Sequence, residues 1–203
     1  MTALRYVALG DSYTIGTAVV PAERWPERLA ATLASDQTGL GLDLVANLGV
    51  NGYTSADLIR EELPALDGLA PDFATLLIGV NDVVQGVSHA AYAANVEAML
   101  DALLAQLPAD RLVTVAIPDY TVTPSGADYG DPRQQHEAIV ANNATMAWLA
   151  AARGVAFVDI VDISLEAASD RSLVADDGLH PSGVQYGRWL ERIVPVVREL
   201  LAD

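Results

Sequence analysis

Leu4-Arg5-Tyr6-Val7-Ala8-Leu9 runs straight into Gly10-Asp11-Ser12-Tyr13-Thr14. The first six residues are short, mostly apolar and without period-two alternation. A strand buried on both faces reads this way, as in a parallel sheet. The glycine and the polar residues behind it mark a turn into a helix. A β-strand that ends in such a turn is the opening unit of an α/β domain.

Four further runs have the same character: Leu42–Leu48, Phe73–Ile78, Arg111–Ile117 and Val155–Ile160. Helix-period segments separate them, at about Glu23–Ala34, Ser55–Leu63, Ala90–Leu107, Arg133–Arg153 and Ser182–Leu201. Ser55 and Ser88 stand where N-caps belong, and Gly154 where a helix C-terminal glycine belongs. Pro195 predicts a kink or break in the last helix. Five β-α units imply a three-layer α/β/α sandwich with right-handed crossovers, as one domain over residues 1–203. A flavodoxin-like five-stranded parallel sheet of order 2-1-3-4-5 sets the ligand crevice at the C-terminal ends of strands 1 and 3. The loops starting at Gly10, Gly49 and Gly79 gather there.

Composition narrows the chemistry. The chain has 203 residues, 52% apolar, with 27 acidic against 11 basic side chains and a net charge of −16. It has no Cys, which excludes disulfides, thiolate nucleophiles and Cys-based metal sites. Every basic residue is Arg, which excludes Schiff-base chemistry and a Walker-A lysine. The acidity argues against nucleic acid and against anionic membrane surfaces. No signal-peptide core and no run of about eighteen apolar residues is present, so a cytoplasmic protein is expected.

Four polar blocks remain to be explained. They are Gly10-Asp11-Ser12-Tyr13-Thr14, Asn47-Leu48-Gly49-Val50-Asn51-Gly52-Tyr53-Thr54, Gly79-Val80-Asn81-Asp82 and Asp177-Gly178-Leu179-His180-Pro181. A serine hydroxyl is a poor nucleophile until a base takes its proton. A serine at a strand-to-helix turn sits where backbone N–H groups are unpaired, and such groups favour an oxyanion. Gly52 lets its N–H approach a substrate closely, and Asn81 offers an uncharged amide donor. Asp177 and His180, three residues apart, can lie on one side of a turn. The twenty residues from Val161 to His180 can span about 60 Å, ample to bring His180 back over the sheet.

Together, and in this order, the four blocks resemble those of the SGNH hydrolases, the GDSL-type esterases and lipases. The first block departs from that pattern only in reading GDSYT. The resemblance implies Ser12 as nucleophile, His180 as base and Asp177 as the carboxylate that orients it. It implies an oxyanion hole from the Ser12 and Gly52 N–H groups and the Asn81 amide, with no cofactor and no metal. The expected activity is hydrolysis of a small, neutral, short-chain acyl ester through an acyl-enzyme. Sugar acetates, lysophospholipids and thioesters are the other substrates within that reading. Tyr120, on the long Pro118–Pro132 loop, is expected to wall the substrate pocket.

Each residue alone has a plainer explanation. Ser12 could cap a helix, Asn81 and Asp82 could form a turn, and Asp177–His180 could be a surface ion pair or two metal ligands. His89 and His136, the remaining histidines, fall in helical, solvated segments. Trp25, Trp148 and Trp189 read as core residues, and Arg133 and Arg188 as surface partners of acids. A flavodoxin-like FMN-binding electron carrier is the alternative, with Ser12, Thr14 and Thr17 around a phosphate.

Overall fold

In the computed structural model of the chain, which describes residues 3–34 and 41–202, the five apolar runs form one parallel sheet of order 2-1-3-4-5. The strands are β1 (Leu4–Gly10), β2 (Leu42–Asn47), β3 (Phe73–Leu77), β4 (Leu112–Val115) and β5 (Ala156–Val158). All five residues of β3 and all four of β4 are buried, whereas the edge strands β2 and β5 are only partly so. Helices on both faces leave the central strands no polar side, hence the absence of alternation. Registers such as Ala8↔Thr75 and Leu76↔Thr114 bring the C-terminal ends of β1, β3 and β4 to one edge of the sheet.

The helices are α1 (Ser12–Ile15), α2 (Trp25–Ala34), α3 (Ser55–Asp57), α4 (Leu63–Leu69), α5 (Val80–Val84), α6 (His89–Leu104), α7 (Pro132–Ala151), α8 (Val161–Leu165) and α9 (Gly183–Ala202). A π turn over Leu58–Glu62 joins α3 to α4. α2 packs on α9, and α6 packs on α7 with α3 and α4 beside it. Each fully buried leucine or aromatic contributes roughly 1.5–3 kcal/mol by leaving water. The largest such groups are Trp25, Trp189, Tyr6, Tyr92, Tyr186 and Phe73.

Three local expectations are corrected. α9 continues through Pro195 instead of breaking. Pro195 lies on the exposed face, so the Glu191 carbonyl it leaves without an N–H partner faces water. Trp148 is 69% exposed, because the buried stripe of α7 runs through Ile139, Asn142, Asn143, Met146, Leu149 and Ala150 and misses it. The cap of α3 is Thr54, whose hydroxyl and backbone N–H form a capping box with Asp57. Ser55 instead serves Asp82: its N–H and hydroxyl donate to that carboxylate at 2.8 and 2.5 Å. Ser88 and Gly154 stand at the helix ends anticipated for them.

Candidate active site

The first loop is built around a glycine. Gly10 has φ +150°, and a Cβ there would fall 2.0 Å from the Leu77 carbonyl oxygen, so no other residue fits. Asp11 is the N-cap of α1, its carboxylate accepting from the Tyr13 N–H at 2.9 Å. The capping task therefore belongs to Asp11, and Ser12 opens the helix. The Thr14 and Ile15 N–H groups are spent on the Asp11 carbonyl. The Ser12 N–H has no acceptor among the described residues. The same holds for the Gly52 N–H.

The second loop lies directly on this turn. Val50 N–H donates to the Gly10 carbonyl, and Asn47 Nδ2 donates to the Thr14 carbonyl at 2.9 Å. Gly49 has no room for a Cβ, which would meet Ile15 N at 2.6 Å. Gly52 is different: it has φ +84° with open space around it, so the left-handed backbone demands glycine here, not crowding. The third loop is stitched to the second. Asn81 Nδ2 donates to the Tyr53 carbonyl at 2.9 Å, and Gln85 Nε2 to the Gly52 carbonyl at 3.1 Å. One N–H of the Asn81 amide is thus used for positioning, and the other is left.

The late loop turns on Asp177. Its Oδ1 accepts from the N–H groups of Leu179 and His180 at 2.9 and 3.0 Å. Its Oδ2 meets His180 Nδ1 at 2.6 Å. Burial alone would raise this carboxyl, but the Leu179 N–H, the His180 ring and the His180 N–H together hold it below the usual range. The loop is pinned by a Val174↔Pro181 bridge and by Ala175 N–H donating to the His180 carbonyl. The His180 ring packs on Tyr13 with centroids 5.5 Å apart.

These four loops meet around one cavity of about 190 Å³. Ser12, Gly52, Asn81, Tyr120 and His180 line it, with Asp177 behind the imidazole. Ser12 is 7% exposed, and no hydrogen bond joins it to His180 among the described residues. Tyr120 is held by a hydrogen bond to the Gln135 side chain and by edge contact with Tyr129.

Sequence reasoning missed several neighbours. Asn51, Val80, Val84, Tyr129 and Leu179 also line the cavity. His136, expected to be solvated, places Nδ1 2.5 Å from Oδ2 of the buried Asp119. His89 bonds Thr145 at an exposed position. Glu62 is buried and accepts from the Gly10 N–H at 2.9 Å. Its spacing of four from both Leu58 and Leu66 could have given it away, since it falls on their apolar stripe. Two of the three hydroxyls that the FMN alternative needs are already committed. Thr14 is fully buried and bonds the Leu9 and Leu77 carbonyls, and Thr17 bonds Asn51. Among the described residues, no group of three or more His, Asp or Glu side chains is arranged to hold a metal. None of the described helices is long and apolar enough to cross a membrane.

Ser12 thus enters a one-turn helix beside Gly52, Asn81 and the Asp177–His180 pair. The chain belongs to the GDSL-like lipase/acylhydrolase family, whose model matches residues 8–188. No curated protein matches the sequence significantly. Among solved structures, the chain is similar to TesA at 23% identity and a TM-score of 0.74, covering 97% of this chain and 99% of that one. It is similar to Axe2, an acetylxylan esterase from Geobacillus stearothermophilus, at 17% identity and TM-score 0.73, with 98% and 94% covered. A family 3 carbohydrate esterase from Clostridium thermocellum follows at 22% identity and TM-score 0.69, with 98% and 100% covered.

Proposed function

We propose that this chain hydrolyses small, neutral, short-chain acyl esters through a Ser12–His180–Asp177 triad. The observation that carries the reading is the shared cavity, lined by Ser12, Gly52, Asn81 and His180, with Asp177 Oδ2 2.6 Å from His180 Nδ1. Asp177 fixes the ring and its tautomer, with the proton on Nδ1 and Nε2 free to accept. Substrate binding brings Ser12 Oγ and Nε2 together, as catalytic contacts tighten in the Michaelis complex. Oγ attacks the ester carbonyl while Nε2 takes its proton. The Ser12 and Gly52 N–H groups and the remaining Asn81 N–H stabilise the oxyanion. The imidazolium then protonates the leaving alcohol, and water repeats the sequence on the acyl-enzyme.

Cavity size supports a small acyl group. A volume of about 190 Å³ falls below the roughly 300 Å³ at which pockets for drug-sized ligands begin. Val84, Tyr120 and Leu179 give it apolar walls, and the net charge of −16 disfavours anionic esters. The acetylxylan and carbohydrate esterases among the structural neighbours support acetate as the acyl group and a sugar as a candidate alcohol. The test is Ser12→Ala with a panel of aryl esters of increasing acyl length and a set of sugar acetates. The expected outcome is loss of turnover and of fluorophosphonate labelling, with unchanged folding and a preference for the shortest acyl chains. Near-normal turnover in Ser12→Ala removes the proposal.

A further inference from the structure

Glu62 ends the π turn that joins α3 to α4, and the residue is 3% exposed. Single π turns inside helices are often found at functional sites. Here the turn delivers a carboxyl group to the underside of the nucleophile loop. Glu62 Oε2 accepts from the Gly10 N–H at 2.9 Å, two residues before Ser12. The other oxygen, Oε1, is buried without a hydrogen-bond partner among the described residues, and so is Oδ2 of Asp11.

Among the described residues no cation compensates this group. Arg60, on the same turn, points outward and pairs with Asp57 and Glu61. The titratable group that acts on Glu62 is Asp11, at the end of β1; Asp11 in turn feels Asp82 on α5, and Tyr92 on α6 feels both aspartates. Asp82 is bonded by Ser55, and the Tyr92 hydroxyl donates to the Ile78 carbonyl. All of these are acids and none is a cation, so an ionised Glu62 would be an unpaired buried charge, which folded proteins avoid by keeping the proton.

We propose that Glu62 is a positioning residue for the nucleophile, a neutral carboxylic acid that anchors Gly10 and so fixes the turn carrying Asp11 and Ser12. The inference rests on the esterase reading above. Its chemistry is consistent with the transition state. A second negative charge beneath the oxyanion would oppose the charge that forms on the substrate. Burial pushes the Glu62 carboxyl up to about 9, with Asp11 adding to the rise.

The test uses Glu62→Gln and Glu62→Ala in the full chain, with kcat and KM for an aryl acetate followed from about pH 6 to about pH 10. Glutamine keeps the oxygen acceptor and is always neutral. It should hold kcat within about threefold of wild type at neutral pH and remove the alkaline fall that Glu62 ionisation imposes. Alanine should lower kcat at least tenfold with KM little changed. Thermal unfolding provides a readout independent of activity. From about pH 5 to about pH 8, wild type keeps a proton that its unfolded chain has released, so its stability falls with pH. The melting temperature of Glu62→Gln should therefore rise relative to wild type across that window. A difference that stays flat with pH, or a Glu62→Ala enzyme with wild-type kcat, overturns the proposal. If Glu62→Ala fails to fold, the glutamine pH profile decides. A wild-type chain that cleaves no ester sinks the esterase reading, while the unfolding series still decides the protonation of Glu62.

Discussion

Replacing Asp177 by Asn separates the orienting role proposed for the carboxylate from the turn it also builds. Three bonds are at stake, two from backbone N–H groups to Oδ1 and one between Oδ2 and His180 Nδ1. Asparagine retains an oxygen for the two backbone donors, so the Asp177–His180 turn should survive. Its NH₂ would face Nδ1, which must then accept, forcing the proton onto Nε2. That nitrogen could no longer take the Ser12 proton. The corresponding change in a Ser-His-Asp protease lowers kcat about 10⁴-fold, or about 5.5 kcal/mol of barrier, and a loss of about 10³–10⁴ is expected here. The stability cost should be small. The carboxylate is 34% exposed, so losing its charged bond to the ring costs about 1 kcal/mol after solvent screening. That corresponds to about 2–4 °C in melting temperature for a domain of this size. Steady-state hydrolysis of an aryl acetate at neutral pH, paired with a melting curve, measures both. A Asp177→Asn enzyme within tenfold of wild-type turnover would refute the tautomer argument, and with it the role given to His180.

Truncating Asn81 to Ala should lower kcat about 10²–10³-fold, as for other lost oxyanion donors; a drop under threefold in the same assay excludes that role. Gly79→Ala should destabilise by more than about 2 kcal/mol, since its Cβ would lie 2.7 Å from both Tyr92 and Ile117 at φ +129°; denaturant unfolding checks this. Trp148→Ser should shift stability by no more than about 0.5 kcal/mol, because the ring is largely in water; a larger loss would mean that it packs. For the whole chain, the carboxyls of Asp11 and Glu62 are raised by burial to about 8 and about 9. Both then stabilise the fold at low pH and lose that contribution as pH rises toward those values. Asp57, held down at about 2 by Thr54 and Arg60, acts in the opposite sense and is lost only on strong acidification. Melting temperature should therefore decline between about pH 5 and about pH 9, and a steady rise over that range would contradict the burial of these acids.

The sheet was readable because its strands are short, apolar and covered on both sides, so each stands out as a run bounded by glycine or polar residues. The positions around the cavity were readable because four polar blocks follow one another in a single order, each after a strand or in the late loop. What escaped notice depends on relations the local pattern does not contain. Asp119 and His136 sit on different elements and meet only through tertiary packing. Trp148 missed the core because hydrophobic character says less than helix phase. Ser55 was read as a cap because serine favours that place, but a neighbouring threonine took it and freed Ser55 to serve Asp82. Glu62 belongs to no motif, and only its spacing of four from Leu58 and Leu66 signals that it falls on their apolar stripe.

The imidazole segment is fastened by the last part of the chain. Ser182 N–H closes on the Leu173 carbonyl, Arg28 Nη1 holds the Gly183 carbonyl at 2.7 Å, and α9 lies against α2. Protein synthesis delivers Ser12 before any of these fastenings. On the proposed reading, a nascent chain presents the Ser12 hydroxyl before the His180 imidazole that would activate it has been made, so no hydrolysis is expected until α9 docks.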